Sequence, residues 1–86
     1  MELKSTAFGA KLKELYIKAQ KNEQVAMIHL FGIKYGKLIK GNGIKVSDII
    51  EASGISSTYA TELNKGVKLS QYVCIKDDAN AKYFDD

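Results

Sequence analysis

A chain of 86 residues with a hydrophobic content of 45% is long enough for one packed domain and too short for two. One cysteine and one histidine exclude an intrachain disulfide and a Cys/His zinc site, and the apolar runs are too short to cross a bilayer. The N-terminal residues lack the apolar region of a signal peptide, so we expect a cytoplasmic protein.

The net charge of +3 is unevenly distributed along the chain. Residues 1–45 contain nine lysines against three acidic residues, whereas residues 46–86 contain four lysines against seven acidic residues. The basic first half favours a polyanionic partner. All basic residues are lysines, so arginine, whose paired hydrogen bonds to guanine are the commonest base-specific contact, is not available.

A first amphipathic helix is predicted over about residues 5–20. Ser5 or Thr6 is a candidate N-cap, because a hydroxyl oxygen there can accept a free N–H of the first turn. The apolar residues recur at spacings of three and four, which places them on one face: Phe8, Leu12, Leu15, Tyr16 and Ala19.

A second helix is predicted over about residues 23–40, after Asn22 as a candidate N-cap. Its apolar residues cover more than one face, as is typical of the most buried helix in a small bundle. The turn Gly41-Asn42-Gly43 ends it, because these residues tolerate positive φ. A basic surface of four lysines would extend a nucleic-acid contact if it lies on the correct side: Lys34, Lys37, Lys40 and Lys45.

Two shorter helices are predicted next, over residues 47–53 and 56–65. Ser47 and Ser56 are candidate N-caps, and Gly54 and Gly66 are candidate helix stops. Only Gly54-Ile55-Ser56 separates the two helices. A three-residue turn that begins with glycine and joins two short helices is typical of a helix-turn-helix.

The C-terminal residues 72–84 have a different pattern. A β-prone run is followed by the turn-like Asp77-Asp78-Ala79-Asn80, which is compatible with a small β-hairpin in the position of a wing or with a frayed acidic tail. The predicted fold is therefore mainly all-α, a compact four-helix bundle with a helix-turn-helix, with or without a C-terminal β-hairpin.

The segment 48–56, DIIEASGIS, resembles the first helix and turn of bacterial repressor-type helix-turn-helix motifs. In these motifs a small residue, a turn glycine, an apolar residue and serine follow in this order, and Ala60 and Leu63 fall at two inward-facing positions beyond the turn. Ile50 departs from the pattern, in which alanine is usual. The resemblance, over residues 48–66, implies a small bacterial or phage-like transcriptional regulator that binds double-stranded DNA, as a dimer, with the helix 56–65 in the major groove.

The outer face of this helix supplies the predicted DNA contacts, because the apolar side chains of the motif must face the core. The residues placed at base edges or phosphates are Ser57, Thr58, Thr61, Glu62 (as an acceptor from cytosine), Lys65 and Lys68. Backbone N–H groups at two helix starts are predicted to bind phosphate oxygens, at Ser56 and at Ser47 beside Lys45.

The alternative function is a protein-protein interaction module, such as an inhibitor, immunity partner or adaptor. It would present an aromatic anchor to its partner from Tyr35, Tyr59 or Tyr72. The apolar stripe of the first helix has two possible roles as well, since it can cap the core or form a homodimer contact.

No nucleophile and base pair, carboxylate dyad or cofactor loop can be assembled from the sequence, so we expect no enzyme, no cofactor and no metal site. His29 is interpreted as a core or helix-surface residue rather than a catalytic one. Cys74 is interpreted as a small buried hydrophobe.

Overall fold

The computed structural model describes residues 4–84. In this part of the chain the regular elements are five α-helices and a short 3-10 helix, with no β-strand. In chain order they are α1 (Ser5–Lys18), α2 (Gln24–Gly41), α3 (Val46–Ser53), the 3-10 helix (Ser57–Tyr59), α4 (Ala60–Leu69) and α5 (Asp77–Tyr83). The all-α prediction is confirmed, and the number of helices exceeds the four that were predicted.

The first three helices begin without the predicted side-chain caps. Lys4 and Lys45 occupy the N-cap positions of α1 and α3, and neither makes a capping hydrogen bond through its side chain. α2 begins after Asn22, whose φ of 70° places it in the left-handed turn rather than at the cap. α3 starts at Val46, which packs against the core, so Ser47 lies inside the first turn instead of capping it. At α3, therefore, the helix begins at an apolar residue that packs on the core and not at the predicted serine cap.

One hydrophobic core joins all five α-helices of the described chain. The apolar stripe of α1 faces this core, which settles its role in favour of covering the core. The inward positions predicted for the helix-turn-helix are also confirmed, since Ile49, Ile50 and Leu63 are buried and Ile55 and Ala60 pack against them. The buried apolar residues are Phe8, Leu12, Leu15, Met27, Ile28, Phe31, Ile39, Ile49, Ile50, Leu63, Val67 and Phe84.

The helices pack closest in two pairs, α1 with α3 and α2 with α4. In the second pair a Cβ atom on Gly32 would lie 2.7 Å from the backbone of Gly66, and one on Gly36 would collide with Ser70. Glycine is required at position 32 because the two backbones approach too closely there for any side chain, whereas at position 36 the obstacle is the side chain of Ser70. The prediction that Gly66 ends its helix is wrong: α4 continues to Leu69, and Gly66 lies at the contact with α2.

The C-terminal hairpin predicted over residues 72–84 is not formed, because residues 77–83 are helical. Phe84 follows α5 directly and is buried, with its ring 5.8 Å from that of Tyr35 in an edge-to-face arrangement. The Asn80 side chain accepts a hydrogen bond from Lys34 at 2.8 Å. These contacts attach α5 to α2. Asp85 and Asp86, part of the acidic tail considered above, lie outside the described residues.

Candidate nucleic-acid interface

The turn between α3 and the 3-10 helix is held by hydrogen bonds within its own residues. Gly54 has a φ of 77°, and its N–H donates to the carbonyls of Ile50 and Glu51 at 3.2 Å each. The buried hydroxyl of Ser53 donates to the Ile50 carbonyl at 2.6 Å and accepts from the N–H of Ile55 at 3.2 Å. The predicted stop at Gly54 is confirmed, because this left-handed conformation is one that glycine adopts without strain.

Ser56 caps the helical segment that follows the turn, as predicted. Its Oγ accepts a hydrogen bond from the backbone N–H of Thr58 at 3.3 Å and lies 2.9 Å from the Thr58 hydroxyl. The 3-10 helix then leads directly into α4, so that Ser57 and Thr58 lie in a tighter turn than the predicted α-helix. Both residues are exposed.

An exposed polar line runs along α4. Thr61, Lys65 and Lys68 lie at spacings of four and three, which places them on one face of the helix, and all three are exposed. The opposite face, with Leu63 and Val67, is buried. These three residues and the exposed Thr58 are called the reading line below.

Asn64 is a candidate contact that the sequence analysis did not identify. It is exposed and lies one turn beyond Thr61, beside the reading line. An asparagine amide can form paired hydrogen bonds with adenine in the major groove. The signal in the sequence was its spacing of three from Thr61, which makes the two residues neighbours on the helix surface.

Glu62 lies beside the reading line and is paired with neighbouring side chains, and its contact with cytosine stays a prediction. Its side chain is 25% exposed, and Oε1 lies 2.7 Å from Nε2 of His29 on α2. The other oxygen accepts from the Lys65 ammonium at 3.3 Å. The hydrogen bond to His29, followed by that to Lys65, lowers the pKa of the Glu62 carboxyl below its usual value. Sequence analysis missed this pair because its members are 33 positions apart.

The start of α3 combines opposite charges. Lys45, at the N-cap position, and Ser47, in the first turn, are both exposed, as their predicted role requires. The exposed carboxylate of Asp48 lies in the same turn. This helix start therefore offers a lysine, a hydroxyl and N–H groups to a phosphate, together with one acidic side chain that opposes it.

The basic surface of α2 is divided. Lys34 donates to Asn80 and lies 5.7 Å from the centre of the Phe84 ring, so it belongs to the contact with α5. Lys37 and Lys40 remain exposed on α2. The extension of the nucleic-acid surface through these lysines stays a prediction.

Two tyrosines meet beside the 3-10 helix. The rings of Tyr16 and Tyr59 are 5.4 Å apart in an edge-to-face arrangement, and the Tyr16 hydroxyl donates to that of Tyr59 at 3.4 Å. This hydrogen bond, followed by partial burial, raises the pKa of Tyr16. The contact links α1 to the segment that precedes α4.

A different surface follows the end of α4. Tyr72 is 79% exposed, and Leu69 and Val73 are also exposed. Cys74 is exposed as well, contrary to the prediction that it is buried, because the strand expected to bury it is not formed. Exposed apolar residues therefore follow one another closely in the chain at and after the end of α4.

The described residues contain no helix that is both long and apolar enough to cross a membrane. Within the same part of the chain, no group of three or more His, Cys, Asp or Glu side chains is arranged to bind a metal ion.

Two short helices joined by a left-handed glycine turn, with one face of the second buried and the other polar and exposed, define a helix-turn-helix region. Comparison with protein families agrees, since residues 4–76 match the family described as HTH-like domain, and the chain belongs to that family. The family is a DNA-binding rather than a catalytic type of fold. The matched residues end before α5 begins. Comparisons with curated proteins and with solved structures found no match.

Proposed function

We propose that this protein binds double-stranded DNA as a small transcriptional regulator, with the 3-10 helix and α4 in the major groove. The observation that carries the proposal is the reading line, a polar and basic surface on a helix whose other face is fixed to the core. The first turns of a recognition helix meet base edges, and lysines further along meet phosphates.

The chemistry of each contact follows from the exposed groups. The Thr61 methyl group suits the methyl group of thymine, and its hydroxyl suits a base edge or a phosphate. Lys65 and Lys68 supply positive charge for phosphates or guanine. Ser57, Thr58 and the segment capped by Ser56 lie at the end of the reading line that would enter the groove first.

A second group of contacts would come from the start of α3. Lys45 and Ser47 are proposed to bind phosphate through the lysine ammonium, the hydroxyl and the first-turn N–H groups. A dimer is proposed because one helix of this size buries little DNA surface. With the α1 stripe in the core, a dimer contact must use another surface.

The test is a fluorescence-anisotropy titration with random-sequence duplex DNA at two salt concentrations. For about four phosphate contacts, affinity should fall on the order of 100-fold between 50 and 200 mM salt. The double variant Thr61→Asp with Lys65→Glu should lose binding, while its melting temperature stays nearly unchanged because both positions are exposed.

A matched control places the same two substitutions on α1, as Thr6→Asp with Lys13→Glu, where both residues are also exposed. This control has the same net charge as the test variant and should keep most of the DNA affinity. Equal loss in both variants would show a non-specific charge effect, and would contradict the assignment of the reading line.

A second candidate function, a protein-interaction module, is favoured by the exposed apolar side chains of Leu69, Tyr72 and Val73. Tyr35 and Tyr59, the other predicted anchors, are half-buried and in contact with other rings. The variant Tyr72→Ser separates the two functions. It should abolish capture of a protein partner under the second candidate and leave salt-dependent DNA binding intact under the first.

A further inference from the structure

A partly buried polar contact joins α4, the proposed recognition helix, to α2. The His29 imidazole and the Glu62 carboxylate meet at 2.7 Å, and their side chains are 32% and 25% exposed. Lys65 binds the second carboxylate oxygen. Both oxygens of Glu62 are thereby engaged, one by α2 and the other by Lys65 of the reading line.

The backbone around this contact leaves little room for the pair to separate. A Cβ atom on Gly66, one turn beyond Glu62, would lie 2.5 Å from the carbonyl oxygen of His29. Because α2 and α4 touch through their backbones here, helix packing sets the distance between the Cα atoms of His29 and Glu62. The imidazole therefore stays within reach of the carboxylate.

The charged groups that face His29 come from α4. They are Glu62 and, through it, Lys65. On α1, Lys11 and Lys18 pair with Glu14 of the same helix. α5 meets α2 through Lys34, on the side of its contact with Asn80.

A carboxylate beside a groove-reading helix has two effects when it is not held. It accepts hydrogen bonds from cytosine, which changes base preference, and it repels phosphate, which weakens binding to every sequence. The side chains that bind the Glu62 carboxylate therefore determine whether it changes base preference or repels phosphate.

We propose that His29 is a positioning residue for DNA binding, which holds Glu62 against α2. The inference rests on the proposed function. It assigns a role to a side chain that would not itself touch DNA and that belongs to a helix outside the helix-turn-helix.

The role has a signature in the pattern of rescue among variants. A residue that acts only by holding Glu62 is dispensable once position 62 carries no charge, whereas a residue needed for the fold or for a direct DNA contact is not.

The experiment measures the affinity of the wild type and four variants for one duplex, at one pH and constant salt. The variants are His29→Ala, His29→Gln, Glu62→Gln and the double variant His29→Ala with Glu62→Gln. The glutamine at position 29 retains an N–H donor without a charge. Melting temperatures of all five proteins exclude unfolding as a cause of weak binding.

We expect His29→Ala to weaken binding by about threefold to fivefold, the scale of one exposed charge interaction. The double variant should regain that loss, because the carboxylate that needed a partner is gone. His29→Gln should bind like the wild type, because its amide N–H can still donate to the carboxylate. Glu62→Gln should bind at least as tightly as the wild type.

Two results would overturn the role of His29 while leaving the proposed function intact. The first is a His29→Ala variant with the affinity of the wild type. The second is a double variant as weak as His29→Ala, which would show that the loss does not act through Glu62. If the wild type itself binds no duplex, both the role and the proposed function are overturned.

Discussion

The proposed recognition helix, α4, makes two unequal contacts with its neighbours. It meets α2 backbone to backbone at Gly32 and Gly66 and across the His29–Glu62 hydrogen bond. It makes fewer close contacts with α3, which is its partner in the helix-turn-helix. The difference indicates that α2, from outside the motif, fixes the orientation of the reading line.

The largest expected effect tests the smaller of the two contacts, that between α3 and α4. Ile50 is 3% exposed and stands where repressor-type motifs carry alanine. If the two helices of the motif closed as in those proteins, Ile50→Ala would be tolerated. Because the side chain fills core space here, we expect a loss of about 2–4 kcal/mol in the free energy of unfolding, measured by urea denaturation.

The control for this variant is Ile17→Ala, which removes the same atoms from a side chain that is 67% exposed. It should change the free energy of unfolding by about 0.5 kcal/mol or less. Similar small losses for both variants would mean that α3 and α4 can close on the space that Ile50 leaves.

The second prediction concerns a variant that disrupts the larger contact, that between α2 and α4. Gly66→Ala places a methyl group against the backbone of α2, which cannot move as a flexible side chain would. The helices must separate, at an expected cost of about 1–3 kcal/mol in unfolding free energy. A loss of DNA affinity in excess of the fraction unfolded would show that the separation also displaces the reading line.

Gly41→Ala is the matched control for Gly66→Ala. Gly41 is the last residue of α2, and no heavy atom lies within 4 Å of an added Cβ atom. Because alanine favours the helix over glycine by up to about 1 kcal/mol, this variant should be neutral or slightly stabilised. A destabilised Gly41→Ala would remove the steric explanation for position 66.

The smallest effect concerns the polar part of the same interface. The pKa of Glu62 is lowered in the folded protein, so its contribution to stability is present above the ordinary glutamate range and is lost as the pH falls through the folded value. Chemical denaturation between pH 6 and pH 3 should show a steeper loss for the wild type than for Glu62→Gln. The exposed Glu51→Gln on α3 should follow the wild type.

The sequence predicted the local features of the motif correctly and missed those that depend on contacts between distant residues. Gly54 and Ser56 could be assigned from sequence because a helix stop and a cap act over a few residues. Gly66 could not, since a glycine that ends a helix and one that admits a neighbouring backbone look the same in sequence.

The C-terminal error has a different origin. The run Tyr72–Ile75 has β propensity, but no second strand lies in the described part of the chain to pair with it. A helical signal was present further on, because Asp77 and Asp78 in the first turn and Lys82 in the last complement a helix dipole. The burial of Phe84 against Tyr35 then favours α5, and sequence alone does not reveal that contact.

The pairing of helices also bears on how fast the chain folds. The polar contact of the α2/α4 interface joins residues 33 positions apart, and the α1/α3 pair likewise skips the intervening helix. Local helix formation takes about a microsecond or less, whereas contacts at this separation require the entropy of a long loop to be lost first. We therefore expect loop closure to limit the folding rate, with the reading line acquiring its orientation only when the two halves of the chain meet.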